Sequence, residues 1–120
     1  MNTQTATAAR EHIYISPFTD IIEEENAYRL IADIPGAEKD LLSLTVENNT
    51  IEFSAETGAE FNENNSNVAK DAVYTYRRAF RLGDEIDTAR IEAAYDKGTL
   101  TISLPKSEKA QPKKIAIENH

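Results

Sequence analysis

The sequence predicts an all-β fold, an antiparallel β-sandwich of about seven to eight short strands with an extended tail at each end. Two observations carry that prediction. Apolar residues alternate with polar ones at period two instead of recurring every three or four positions, and turn-forming residues fall where the alternation breaks. Short half-buried strands separated by frequent turns pack as a sandwich.

In chain order, the first candidate strands are Ile21–Glu24 and Tyr28–Ala32, closed by the turn pair Pro35-Gly36. Leu42, Leu44 and Val46 then alternate with Ser43 and Thr45, and Ile51, Phe53 and Ala55 alternate with Glu52 and Ser54. Asn48-Asn49 between them suits a tight hairpin, because Asn tolerates positive φ. A long polar stretch, TGAEFNENNSNVAKDA at 57–72, separates these strands from Tyr74–Leu82. Residues 84–90 fit a short helical turn. Ile91–Tyr95 and 99–104 form the last pair, joined by Asp96-Lys97-Gly98. The expected organisation is an N-terminal arm at 1–16, a sandwich domain at 17–105 and a C-terminal extension at 106–120.

The composition excludes several function classes. With no Cys among 120 residues, disulfides, thiol catalysis and Cys-based zinc sites are ruled out. The N-terminus lacks the basic start and apolar centre of a secretory signal, and no apolar run reaches the ~20 residues of a membrane span. The expectation is a soluble, cytoplasmic protein. The net charge of −8 is unevenly spread: residues 20–67 hold twelve acids against two bases, whereas residues 105–120 hold four Lys against two Glu. An acidic body disfavours nucleic acid as a partner, since phosphate recognition needs clustered cations.

Catalytic groups are equally sparse. The two histidines, His12 and His120, both lie in the tails, so no Ser-His-Asp arrangement is supported. Gly36, Gly58, Gly83 and Gly98 are scattered at turns and make no phosphate loop. Glu23-Glu24-Glu25 is better read as a solvated hairpin end than as an acid pair, because neighbours on a strand face opposite ways. Asn62-Glu63-Asn64-Asn65 lacks the ligand spacing of a calcium loop. The sequence therefore predicts no enzyme, no metal and no cofactor.

The C-terminal PKKIAIENH is harder to dismiss. In extended chain Ile115 and Ile117 face the same way and form a two-pronged apolar face. Burying both would stabilise by ~3–6 kcal/mol gross, against ~1–2 kcal/mol for each of the tail residues ordered. One such docking event is weak and reversible, and many in one assembly are strong. The receiving surface could be the chain's own sandwich or a neighbour's. A linker bounded by Pro105 and Pro112 favours reaching another subunit.

Three segments in order resemble one known family. Ala32-Asp33-Ile34-Pro35-Gly36-Ala37-Glu38-Lys39-Asp40-Leu41 is similar to the opening of the α-crystallin domain of small heat-shock proteins. Ala93-Ala94-Tyr95-Asp96-Lys97-Gly98-Thr99-Leu100 resembles that family's signature, with Lys97 where Asn is usual. Ile115-Ala116-Ile117 matches its C-terminal I-x-I motif. The resemblance covers about residues 17–118. It implies an immunoglobulin-like sandwich that forms homodimers and then higher oligomers, and that acts as an ATP-independent holdase on partly unfolded client proteins.

Carried over by position, the resemblance assigns further residues. Ile115 and Ile117 would dock in a neighbour's groove lined by Leu42, Leu44 and Val46 on one side and Ile91 and Ala93 on the other, some of these filling the core instead. Arg78 would sit in dimer-interface ion pairs, with Arg81 a second candidate and Phe80 beside them. The arm carries another I-x-I, Ile13-Tyr14-Ile15, which is either an ordinary edge strand or a second plug for the same groove. The competing functional reading is a non-chaperone interaction module or co-chaperone whose tail docks in cis.

Overall fold

A computed structural model describes residues 11–58 and 72–108. Among the described residues eight strands form two four-stranded sheets: β1 (Glu11–Ile15), β2 (Thr19–Glu23), β3 (Ala27–Asp33), β4 (Ala37–Glu47), β5 (Thr50–Thr57), β6 (Ala72–Arg81), β7 (Glu92–Asp96) and β8 (Thr99–Pro105). One sheet has the order β1-β6-β5-β4 and the other β2-β3-β8-β7. The sandwich is as expected from the alternation, and its core comes from the inward rows. Leu30, Ile34, Ile51, Phe53, Leu100 and Ile102 are fully buried, with Leu82 and Ile86 closing one end.

The turns follow from residue chemistry. Asn48 and Asn49 adopt φ of 52° and 59°, and Lys97 and Gly98 adopt 48° and 85°. Two consecutive left-handed residues make the twisted two-residue hairpin that matches strand twist. At Pro35-Gly36 the proline presets the first φ and Gly36 takes φ of 83°, while the Ala37 amide donates to the Ile34 carbonyl at 3.2 Å. Two tyrosines then clasp the structure near this turn. The Tyr76 hydroxyl donates to the Pro35 carbonyl at 2.7 Å, and the Tyr95 hydroxyl donates from one sheet to the Ala37 carbonyl of the other at 3.0 Å. Burial raises the Tyr76 hydroxyl above the usual phenol range.

Residues 11–15 form an edge strand, one of the two readings the arm allowed: β1 joins the sheet by parallel pairing with β6, the one parallel pairing in an otherwise antiparallel arrangement of described strands. Two details differ from the sequence expectation. Strand β4 begins at Ala37, five residues earlier than the alternation suggests, because a register shift between Ala37 and Leu42 accommodates the polar Glu38-Lys39-Asp40. The helical turn shrinks to Thr88–Arg90, where the Asp87 carboxylate accepts from the Ala89 amide at 3.2 Å and caps it.

Candidate functional site

Strands β4 and β7 are each the edge of their sheet and lie on the same flank of the sandwich, as the Tyr95–Ala37 bond between them requires. Register fixes which side chains face inward. Leu42, Leu44 and Val46 stand opposite Ala55, Phe53 and Ile51, so they share the face of the buried core. An edge strand has a sheet neighbour on one side only. Leu42 and Leu44 are accordingly only partly buried against the core, and Val46 remains 37% exposed.

On the facing edge, Ala93 is paired with the fully buried Ile102 and must point inward, yet it is exposed. A methyl group at this position leaves uncovered what a larger side chain would fill. Ile91, just before β7, packs on the core and is partly buried. The five residues assigned to the groove thus lie along one flank. Leu42, Leu44 and Ile91 contribute to the core while Val46 and Ala93 border solvent. The arrangement is an apolar margin able to receive side chains from an extended segment, with edge-strand backbone beside it.

The cations of β6 divide by face. Arg78 points inward opposite Phe53, donates from Nη1 to the Pro17 carbonyl at 3.1 Å and lies 4.9 Å from the Phe80 ring centre. Arg77, on the outer face, is the residue with an intrachain carboxylate partner. Its Nε donates to Glu52 Oε2 at 3.0 Å, and its guanidinium lies over the Tyr14 ring at 5.3 Å. Arg81 ends β6 and is exposed; Phe80 is partly buried against the core. Ile13 and Ile15 in β1 stand opposite Tyr74 and Tyr76 and therefore face inward, with Ile15 packed on the core. Ile115 and Ile117 lie outside the described residues, as do His120, the Asn62–Asn65 segment, Phe61 and Val68.

Two features escaped the sequence pattern. Lys106, the first residue of the expected C-terminal extension, is a buried cation: Nζ donates to Glu23 Oε2 at 2.9 Å and sits 5.0 Å from the Tyr28 ring centre. Its hydrogen bond holds the Glu23 carboxyl below the usual carboxylate range, and the same bond holds the Lys106 ammonium above its usual range. The second feature is the opposite flank, where Phe18 is 70% exposed and the β2 edge displays Ile21 and Ile22. No period-two argument could say which edge would stay bare. Among the described residues no cluster of three or more His, Asp or Glu could hold a metal ion, and no helix is long and apolar enough to cross a membrane.

Comparison with known proteins places this geometry among relatives. A sequence model of the Hsp20/alpha crystallin family matches residues 20–118. The chain is 31% identical to small heat shock protein C4 of Rickettsia felis over 86% of its length and 64% of the relative's. It is 35% identical to an 18 kDa heat shock protein of Clostridium acetobutylicum, over 84% of this chain and 69% of that one. Against several curated relatives, including the Rickettsia protein and a Mycobacterium leprae 18 kDa antigen, the chain spans 58–64% of their length. Among solved structures it resembles heat shock protein 16.0 of Schizosaccharomyces pombe, with a TM-score of 0.65 and 29% identity over 88% of this chain and 77% of that one. It also resembles a Xylella fastidiosa small heat-shock protein, with a TM-score of 0.65 and 27% identity over 88% of this chain and 98% of that one.

Proposed function

The chain belongs to the Hsp20/alpha crystallin family, and from that membership we infer that it is an ATP-independent chaperone that holds partly unfolded proteins and prevents their aggregation. The observation that carries this reading is the apolar margin between β4 and β7, where the inward-facing Ala93 and Val46 border solvent. Exposed apolar segments of a client bury surface there at about 25 cal/mol per Å² without any chemical step. An extended client segment gains edge-strand hydrogen bonds as well.

Ile115 and Ile117 of a neighbouring copy cover the same margin when no client is present. Each tail holds weakly, so the margin is uncovered intermittently while the assembly as a whole persists. Copies pair through the surface around Arg78, Phe80 and Arg81. That reading is supported by Arg78, which makes no salt bridge among the described residues and can offer its remaining N–H groups to the carboxylates of another acidic copy. The protein works in the cytoplasm, and it carries no catalytic role.

The test is suppression of thermal aggregation of a model client, followed by light scattering with and without ATP. Equal suppression in both supports the reading. Aggregation at the client's own rate, or suppression that requires ATP, defeats it.

A further inference from the structure

A cavity of about 260 Å³ opens between the sheets on the flank opposite the β4–β7 margin. Its apolar lining comes from Ile21, Leu30, Phe80, Leu82, Ile86 and Leu104. Ile21 is paired with the fully buried Leu30, so it faces the sandwich interior, yet it is 53% exposed. An inward side chain left half bare marks a space that lacks its filling. Because a cavity of about 150 Å³ can take one benzene ring, this one suits one or two aliphatic side chains.

The path of the chain says whose side chains these are. After β8, Lys106 bridges to Ile86 in antiparallel fashion, its amide donates to the Asn26 carbonyl at 2.9 Å, and the Ser107 amide donates to the Glu85 carbonyl at 2.6 Å. Ile86 and Glu85 both line the cavity. The C-terminal extension therefore leaves the sandwich along the cavity's own wall. From Glu108 to Ile115 there are seven residue steps, which span at most about 23–25 Å and cover any shorter distance by bending. Charge also matches. Glu85 and Arg81 both belong to the lining, while Lys113 and Lys114 precede the tail isoleucines and Glu118 follows them.

We propose that this cavity is a second seat for Ile115 and Ile117, occupied by the chain's own tail in cis. A tethered segment acts at an effective concentration on the order of millimolar, whereas a neighbour's surface must be supplied from solution. Dilution thus favours the cis seat, and concentration favours docking on the β4–β7 margin of another copy. Phe80 and Arg81 belong both to the cavity lining and to the surface through which copies pair, so cis occupancy and pairing oppose one another. The tail becomes a reporter of its own subunit concentration. The cis seat follows from the cavity and the path of the chain alone, whereas its competition with pairing rests on the pairing surface and neighbour docking proposed above.

The absence of cysteine allows a single spin label to be placed by Glu118→Cys, which leaves both isoleucines intact. The full-length labelled chain carries isotope-labelled Ile and Leu methyl groups and is measured alone, then diluted, at the same total subunit concentration, into excess unlabelled, isotopically silent protein. The expected result is that the Leu82 and Ile86 methyl resonances lose most of their intensity. That loss persists on dilution and disappears in an Ile115→Ser, Ile117→Ser version of the same chain. Loss that vanishes on dilution assigns the cavity to a second copy and overturns the proposal. So does broadening confined to Leu42 and Leu44, or a loss at Leu82 and Ile86 that survives the two serine substitutions.

Discussion

Ala93→Leu separates an open groove from ordinary core. The substitution adds three carbons at an inward position whose partner across the ladder, Ile102, is fully buried. If the space between β4 and β7 were packed to interior density, the extra atoms would force neighbours aside and destabilise by about 1–3 kcal/mol. Ala93 is exposed instead, so the new side chain has room. Three methylene-sized groups gain about 0.8 kcal/mol each when fully buried, and at a margin open to solvent only a fraction of that is realised. The expected change lies between zero and a stabilisation of about 1 kcal/mol, which moves the melting temperature by no more than about 4–8 °C. Stability should be read by urea unfolding of the chain ending at Lys114, so that the tail cannot contribute, at fixed subunit concentration. In the full chain the same leucine fills the seat for the tail, and the mass in light scattering should fall toward that of a dimer. A loss of more than about 1 kcal/mol at unchanged m-value would place Ala93 in packed core and refute the groove.

Other outcomes follow from the same geometry. Phe53→Ala removes one of the largest fully buried side chains and should cost about 3–5 kcal/mol in urea unfolding, a large share of the roughly 5–15 kcal/mol that holds a domain folded. Lys97 holds φ of 48° beside Gly98, a conformation that Asn tolerates better, so Lys97→Asn should raise the unfolding free energy by ~0.5–1 kcal/mol. The Glu23–Lys106 pair gives a pH signature. The bond from Lys106 lowers the Glu23 carboxyl in the folded state relative to about 4.3 in the unfolded chain. Its contribution is therefore present above that value and is lost as pH falls through the folded-state value. The melting-temperature deficit of Glu23→Gln should be full near neutrality and shrink in acid below about pH 4; a deficit independent of pH would assign it to packing alone.

Strands are legible wherever one face is buried and the other is wet. Ile51, Phe53 and Ala55 alternate with half-exposed polar residues through the whole of β5, and the burial follows them position by position. The same signal is silent about partners. Ile13 and Ile15 show a period of two that any edge strand would share, and their parallel pairing with β6 depends on a contact about sixty residues away in sequence. The β4 extension through Glu38-Lys39-Asp40 carries no apolar alternation, so backbone pairing alone reveals it. Groove positions could be proposed because Leu42, Leu44 and Ala93 occupy places in a recognisable order of motifs. That Ala93 is uncovered while Leu42 is half buried depends on which strands become edges. Lys106 looks like any linker lysine until β8 carries it beneath Tyr28 and against Glu23.

If tails from other copies cover and uncover the apolar flank between β4 and β7, the size of the assembly depends on the tail. The most direct test is the light-scattering mass of the full chain against that of the chain ending at Lys114, in one buffer and at one subunit concentration. The full chain should form an assembly larger than a dimer, and the shortened one a dimer. Equal masses in the two forms would contradict it.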